Sequence, residues 1–230
     1  MKKFIIFILI AFLFGGYFLF WFFPRYYPKA EKRSQNPAGM SSPIKEKILD
    51  GVRKTFTEQG TLVSEEFYEK GQRQGISKVY YDTGSLRAEI NFINNKREGI
   101  TKIYYPRGLL WAEELYQDGK LNGVTKSYYE TRELMYEVTF EDGNPIFRKR
   151  YYKSGALEHE DTYKDKKLNG ISEFYDEDGK LLAEVHFQDN KAISLKKYNR
   201  EGKIILEETN YKKIPKSKDL FQFIHEKKTS

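Results

Sequence analysis

The chain has no cysteine in its 230 residues. Disulfides, thiolate metal sites and a cysteine nucleophile are therefore excluded. It has three histidines, His159, His186 and His225, with no metal-ligand spacing between any two and no Ser-His-Asp order, so each is expected to be a surface or strand-filling residue. Its glycines recur singly and never form a phosphate-cradling loop ahead of a helix. Through the middle of the chain, from about 51 to 211, apolar residues do not recur at i, i+3, i+4 and i+7, as an amphipathic helix would require. No catalytic residue, metal site or cofactor is expected, and the chain is not expected to be an enzyme.

What the chain has is a period. Anchored on Gly60, Gly84, Gly108, Arg132, Gly155, Gly179 and Gly202, one unit returns seven times, at steps of 24, 24, 24, 23, 24 and 23 residues. A fixed spacing of that size marks a repeat architecture. Four residues before each anchor stands a ring: Phe56, Tyr80, Tyr104, Tyr128, Tyr151, Tyr175 and Tyr198. Two after it comes an aliphatic residue (Leu62 to Ile204), and five after it always a glutamate: Glu65, Glu89, Glu113, Glu137, Glu160, Glu184 and Glu207. Eight after it is a second ring (Tyr68, Phe92, Tyr116, Phe140, Tyr163, Phe187), replaced by Asn210 in the last unit.

These offsets read as strands and turns. Leu86, Ala88, Ile90 and Phe92 alternate with polar residues, the mark of a strand with one covered face. Asp-Thr-Gly at 82–84 and pairs such as Asn94-Asn95, Asp118-Gly119, Asp142-Gly143 and Asp189-Asn190 are hairpin turns, which need residues tolerant of positive φ. The expected fold is all-β: an elongated single-layer antiparallel β-meander of about seven 23–24-residue hairpin repeats and about fourteen short strands. Repeat five opens on Phe147-Arg148-Lys149-Arg150 with no glycine, and a local change of bend or twist is expected there.

Glutamates in register invite thoughts of acid–base chemistry, but equivalent positions lie two strands apart, roughly 10 Å. Lys54, Lys78, Lys102, Lys126, Lys149 and Lys196 stand six residues before their anchors, with Glu173 in repeat six. A four-residue loop puts Lys78 opposite Glu89; a five-residue loop puts it opposite Ala88. The spacing alone leaves both registers open. The aromatic columns are expected to be mostly core. The second ring of each pair (Tyr81, Tyr105, Tyr129, Tyr152) points away from the first by strand alternation, and with Trp111 it is the candidate partner-binding surface.

Outside the repeats, Phe4–Phe23 is twenty residues without a charge, long enough to cross a bilayer as a helix. It is longer than a secretion signal's apolar region and lacks a small-residue cleavage site, so an uncleaved single-pass anchor in the cell membrane is expected, with the repeats outside the cytoplasm. Residues 24–43 hold four of the seven prolines and read as a linker. The repeats run over 44–211, and 212–230 is a basic tail with six lysines. There, Ser217-Lys218-Asp219 opens a short helix expected to lie over the last strand. The net charge of +7 is concentrated at the ends, so no nucleic-acid groove is expected.

The unit G-x-x-x-x-Y-Y-x-x-G-x-L-x-x-E-x-x-Y/F-x-(D/N)-G-K-x-x-G, most nearly complete in GITKIYYPRGLLWAEELYQDGKLNG at 99–123, resembles the MORN repeat variant as found in bacterial YwqK-type antitoxin proteins. The resemblance covers about 51–211. It implies an extended β-hairpin array and a binding role, with a protein partner, a toxin in many members. The alternative function is an envelope scaffold whose basic ends and repeat surface associate with anionic lipid.

Overall fold

A computed structural model describes residues 50–226. The expected membrane helix at 4–23 and the linker at 24–43 lie outside these residues. Among the described residues, no helix is long and apolar enough to cross a membrane.

The strands are β1 (Gly51–Phe56), β2 (Leu62–Glu69), β3 (Gln72–Arg73), β4 (Gly75–Tyr80), β5 (Leu86–Ile93), β6 (Lys96–Arg97), β7 (Gly99–Tyr104), β8 (Leu110–Gln117) and β9 (Lys120–Leu121). They continue as β10 (Gly123–Tyr128), β11 (Leu134–Glu141), β12 (Asn144–Tyr151), β13 (Leu157–Lys164), β14 (Lys167–Leu168), β15 (Gly170–Tyr175), β16 (Leu181–Gln188), β17 (Lys191–Tyr198) and β18 (Ile204–Glu208). One helix follows, α1 (Ser217–His225). Each strand pairs antiparallel with its neighbours in sequence, giving the expected open meander. Four of the eighteen strands are two-residue pieces, each separated by one residue from the strand after it. Joined to those strands, they leave the fourteen that the repeat implies.

The splits have a local cause. They fall before Gly75, Gly99, Gly123 and Gly170, all at positive φ, which an L side chain rarely adopts. Where Ile146 and Ile193 take the place of that glycine, β12 and β17 run unbroken for eight residues. At the second turn both central residues have positive φ: Asn94 and Asn95, Asp118 and Gly119, Asp142 and Gly143, Asp189 and Asn190. This is the two-residue turn whose twist suits a hairpin.

The first turn decides the register. Tyr80 lies opposite Leu86, so five residues separate them, yet Val79 lies opposite Ala88 and Lys78 opposite Glu89. A one-residue bulge absorbs the difference, and it recurs at the equivalent hairpin of every other repeat. The loop is the longer of the two expected, and the lysine nevertheless meets the glutamate.

One face is core. Ile90, Phe92, Ile103 and Ala112 are buried beside Val79 and Trp111. In this row large faces small (Val79 opposite Ala88, Ile103 opposite Ala112), so the twisted sheet packs closely without a second layer. Arg73 and Arg97 stack over Phe92 and Tyr116 at 4.8 and 5.0 Å. Under repeats six and seven, α1 and the turn before it provide the second layer: Ile214 of the turn and Leu220 and Ile224 of the helix bury against Phe174, Val185, Phe187 and Leu195. The helix is the one the tail predicts, but it packs chiefly across β16 and β17 rather than over the last strand. It covers a face because the apolar side chains available to it, Val185 and Leu195, point there.

Arg132 is the one anchor that is not glycine, and it keeps the left-handed backbone, φ +81°. A side chain in that region costs about 1–2 kcal/mol. Arg132→Gly should therefore stabilise the protein by about 1 kcal/mol, read as a higher urea midpoint at unchanged m-value; an unchanged midpoint would mean the turn carries no such strain.

Candidate functional site

The face opposite the core carries three rows running across the strands. The middle row is the lysines and glutamates. Lys54, Glu65, Lys78, Glu89, Lys102, Glu113, Lys126, Glu137, Lys149 and Glu160 each lie opposite the next in register. The row then continues through Glu173, Glu184, Lys196 and Glu207. Lys54–Glu65 at 2.6 Å and Lys126–Glu137 at 3.5 Å are its direct contacts in repeats one and four. Opposed charges of this kind contribute about 0.2–1 kcal/mol each. The glutamates are thus part of an ion-pair ladder.

On one side of the ladder stand the first rings. Tyr80 donates its hydroxyl to Glu65 (2.9 Å), Tyr104 to Glu89 (2.8 Å), Tyr128 to Glu113 (3.0 Å) and Tyr151 to Glu137 (2.7 Å). Partial burial, then the neighbouring carboxylate, pushes Tyr104, Tyr128 and Tyr151 up to about 12. These rings were expected in the core. Strand alternation keeps each on the face of the lysine two residues before it, and the core rings are instead those eight after the anchor, such as Phe92, Phe140 and Phe187.

On the other side of the ladder is a row that periodicity alone leaves unremarked. The residue after each opening glycine is aliphatic and exposed: Val52 65%, Ile76 62%, Ile100 54%, Val124 44% and Ile171 55%. Phe67 lies opposite Val52, and Leu115 opposite Ile100; both are exposed as well. The signal was present in the repeated Gly-aliphatic pair, but alternation says only which residues share a face, not which face is covered.

The expected binding residues fall on the other side of the sheet. Tyr81, Tyr105, Tyr129 and Tyr152 form one column along the first turns, each donating its hydroxyl to a backbone carbonyl of the next repeat: Tyr104 (2.7 Å), Tyr128 (2.8 Å), Tyr151 (2.9 Å) and Tyr175 (2.8 Å). Trp111 stands edge-on to Tyr105 with centroids 6.4 Å apart and packs on the core. All five are half-buried. The structure brings them together as a rim that clasps successive repeats. At its far end, Tyr152 also meets His225 Nε2 at 3.1 Å, so α1 rests against the column.

Comparison with known families matches the MORN repeat variant at residues 49–70, 73–94 and 168–189. These three stretches are similar to the MORN repeat variant. A search of curated proteins finds no match. Among solved structures, a point mutant of S. aureus TarM, in complex with Fondaparinux, alpha-GlcNAc-glycerol and UDP, is 14% identical over 53% of this chain and 22% of its own, with a TM-score of 0.32. Another TarM structure is 15% identical over 63% of this chain and 22% of its own, TM-score 0.29. A GtfA/B complex bound to UDP and GlcNAc is 14% identical over 47% and 21%, TM-score 0.22. The chain thus spans about a fifth of the length of those structures, and likenesses of this degree carry no argument about it.

The repeat pattern is interrupted on the core face of repeat five. The position that holds Ser77, Thr101, Thr125 and Ser172 in repeats two, three, four and six holds Arg148 here, opposite Asp161. Arg148 donates Nε to Asp161 Oδ2 at 2.8 Å, and Ser172 Oγ donates to Asp161 Oδ1 at 2.7 Å. His159 stacks on Phe174 at 5.3 Å, with Nε2 3.4 Å from Asp161 Oδ2. Arg150 Nε lies 2.6 Å from Glu158. Burial holds the His159 imidazole below its ordinary pKa. Burial works against the Asp161 carboxylate, but Arg148, His159 and Ser172 together outweigh it and keep that carboxyl well below the usual range. A nucleophilic triad needs the histidine between serine and aspartate; here the aspartate sits between serine and histidine. The cluster is a buried charge network joining strands β12, β13 and β15. Alternation from Lys149, which faces outward, places Arg148 and Arg150 inward, and that was the sequence signal for it.

Repeat six breaks the ladder instead. Glu173 stands where a lysine should, between Glu160 and Glu184. Burial, then the hydrogen bond to Glu173, raises the Glu160 pKa, and the Tyr175 hydroxyl goes to Glu173 rather than to Glu160. A raised carboxyl contributes stability below its unfolded value near 4.5, which is lost as pH rises through the folded value. Glu173→Lys should therefore stabilise the protein at pH 7, by about 1 kcal/mol from two restored pairs, with the gain shrinking toward pH 4. Melting the two proteins across that range measures it, and a pH-independent difference would refute the shared-proton explanation. Among the described residues, no group of three or more histidines and carboxylates is placed to hold a metal ion.

Proposed function

We propose that this chain is a non-enzymatic binding protein that holds a protein partner along the outer face of its repeat sheet while residues 4–23 tether it to the cell membrane, the repeats lying outside the cytoplasm. One observation carries the reading: the exposed aliphatic row through Val52, Ile76, Ile100, Val124 and Ile171. Apolar side chains aligned over many strands mark an interaction surface rather than scattered exposure. The ladder beside them alternates in sign, which suits a protein strip with apolar residues edged by both charges and gives a polyanion no continuous hold. The resemblance to YwqK-type antitoxin and immunity proteins makes a toxin the class of partner.

Two other readings are separable. The Tyr81, Tyr105, Trp111, Tyr129 and Tyr152 rim is a second contact face, favoured by the way α1 already rests on Tyr152. An envelope scaffold docking its basic ends on anionic lipid is the alternative role, and lipid docking should weaken strongly by ~0.5 M salt.

The test compares the native chain with Ile76→Ser/Ile100→Ser/Val124→Ser and with Tyr81→Ser/Tyr105→Ser/Tyr129→Ser, using capture from membranes of the source cells and mass spectrometry. The outer-face variant should melt within about 1 kcal/mol of the native chain, since exposed positions have little to lose, and should drop the partner. Retention of the partner by that variant, with loss in the tyrosine variant at a temperature where both are folded, would move the site to the rim.

A further inference from the structure

Among the described residues the sheet is open at both ends, and its two end strands match each other. Among the described residues, β1 is registered against β2 alone and β18 against β17 alone. An unpaired strand edge is a template for another strand, and proteins ordinarily blunt it with charge. Here the charges are of opposite sign at opposite ends: β1 presents Arg53 and Lys54, and β18 presents Glu207 and Glu208. Each end also exposes large apolar side chains, Phe56 54% on β1 and Ile205 51% on β18.

We propose that a second copy of this chain adds to the first by head-to-tail strand pairing, β18 of one copy against β1 of the next, with Glu207 opposite Lys54 of the second copy. In that register Glu208 meets Arg53 of the second copy, and Ile205 meets its Phe56. The ladder then runs on across the joint without a break in sign, from Lys196 and Glu207 of one copy to Lys54 and Glu65 of the next. On the core face the joint pairs an arginine with an acid directly opposite, the same arrangement as Arg148 and Asp161 within the chain. The helix packs chiefly on β16 and β17, inward of the joint, with Leu206 of β18 at the margin of its cluster. Such a contact is heterologous and does not close, so it produces linear arrays of blades, and on a membrane it would lengthen the outer face that a partner meets.

The absence of native cysteine makes the test clean. The full chain is purified in mild detergent with Arg53→Cys and Glu208→Cys together and oxidised. Those two positions stand at opposite ends of the sheet, so a disulfide between them has to join copies, and a ladder of covalent multimers is expected on a non-reducing gel. The pair Arg53→Cys with Lys203→Cys, five residues out of register and so about 17 Å apart, should give monomer. A second arm follows assembly of the cysteine-free chain by sedimentation. Arg53→Glu/Lys54→Glu should weaken it about tenfold or more by removing two opposed pairs, and adding Glu207→Lys/Glu208→Lys should restore it while dichroism stays constant. Monomer at all concentrations, equal cross-linking of the two cysteine pairs, or failure of the charge swap to restore assembly would overturn the proposal.

Discussion

Asp161→Ala should cost about 3–5 kcal/mol, a large share of the stability of a domain this size. The substitution leaves the Arg148 guanidinium buried with its carboxylate gone and takes the acceptor from Ser172 Oγ. Tyr136 and Tyr163 lie 5.9 and 5.7 Å from the Arg148 carbon, and cation–π contacts of about 1–2 kcal/mol do not replace a buried ion pair. Removing both partners should be far milder, because Arg148→Met with Asp161→Leu leaves no charge to bury. Urea unfolding of the three proteins decides it: a loss below about 1 kcal/mol for Asp161→Ala would mean that water reaches the cluster. The pH dependence follows in sign. His159 is held neutral by burial, so its contribution is complete above the unfolded value near 6.5 and lost as pH falls toward the folded value. Asp161, also lowered, contributes fully above about 3.8 and loses its share as pH falls further. His159→Phe, which keeps the stack on Phe174, should remove the first of these two acid steps and leave the second.

Leu220→Ala together with Ile224→Ala should release α1 altogether. Both side chains are buried, at 3% and 2% exposure, and each truncation alone costs about 2–5 kcal/mol. A nine-residue helix is too short to persist in water by itself, so the loss ends in detachment rather than adding indefinitely. Detachment exposes Phe174, Val185 and Leu195, and it breaks the bond that Lys197 Nζ donates to the Phe223 carbonyl at 2.6 Å. Hydrogen exchange should show the α1 amides unprotected and repeats six and seven opening ahead of repeats two to four, since repeats depend on their nearest neighbours. Undiminished protection in α1 would show that Phe221 and Phe223 alone hold it.

What the sequence by itself determined is whatever depends on neighbours along the chain. The seven anchors, the alternation in Leu86–Phe92 and turn pairs such as Asp118-Gly119 were enough for a fourteen-strand meander, because strand alternation and positive φ are properties of a few consecutive residues. The tail helix was legible for the same reason. The tertiary structure alone decided register and sidedness. One extra residue on the strand after each first turn makes Lys78 face Glu89 across a five-residue loop, and with the lysines outward Tyr80 lies by the ladder and Tyr105 on the core rim. A pattern of period two is blind to such a slip, since moving a strand by one residue exchanges its faces without changing its composition. The same blindness hid the outward turn of Ile76 and Ile100. Which of two equally alternating faces is covered depends on what packs against it, and for the last two repeats that is a helix further along the chain, beyond the reach of any local pattern.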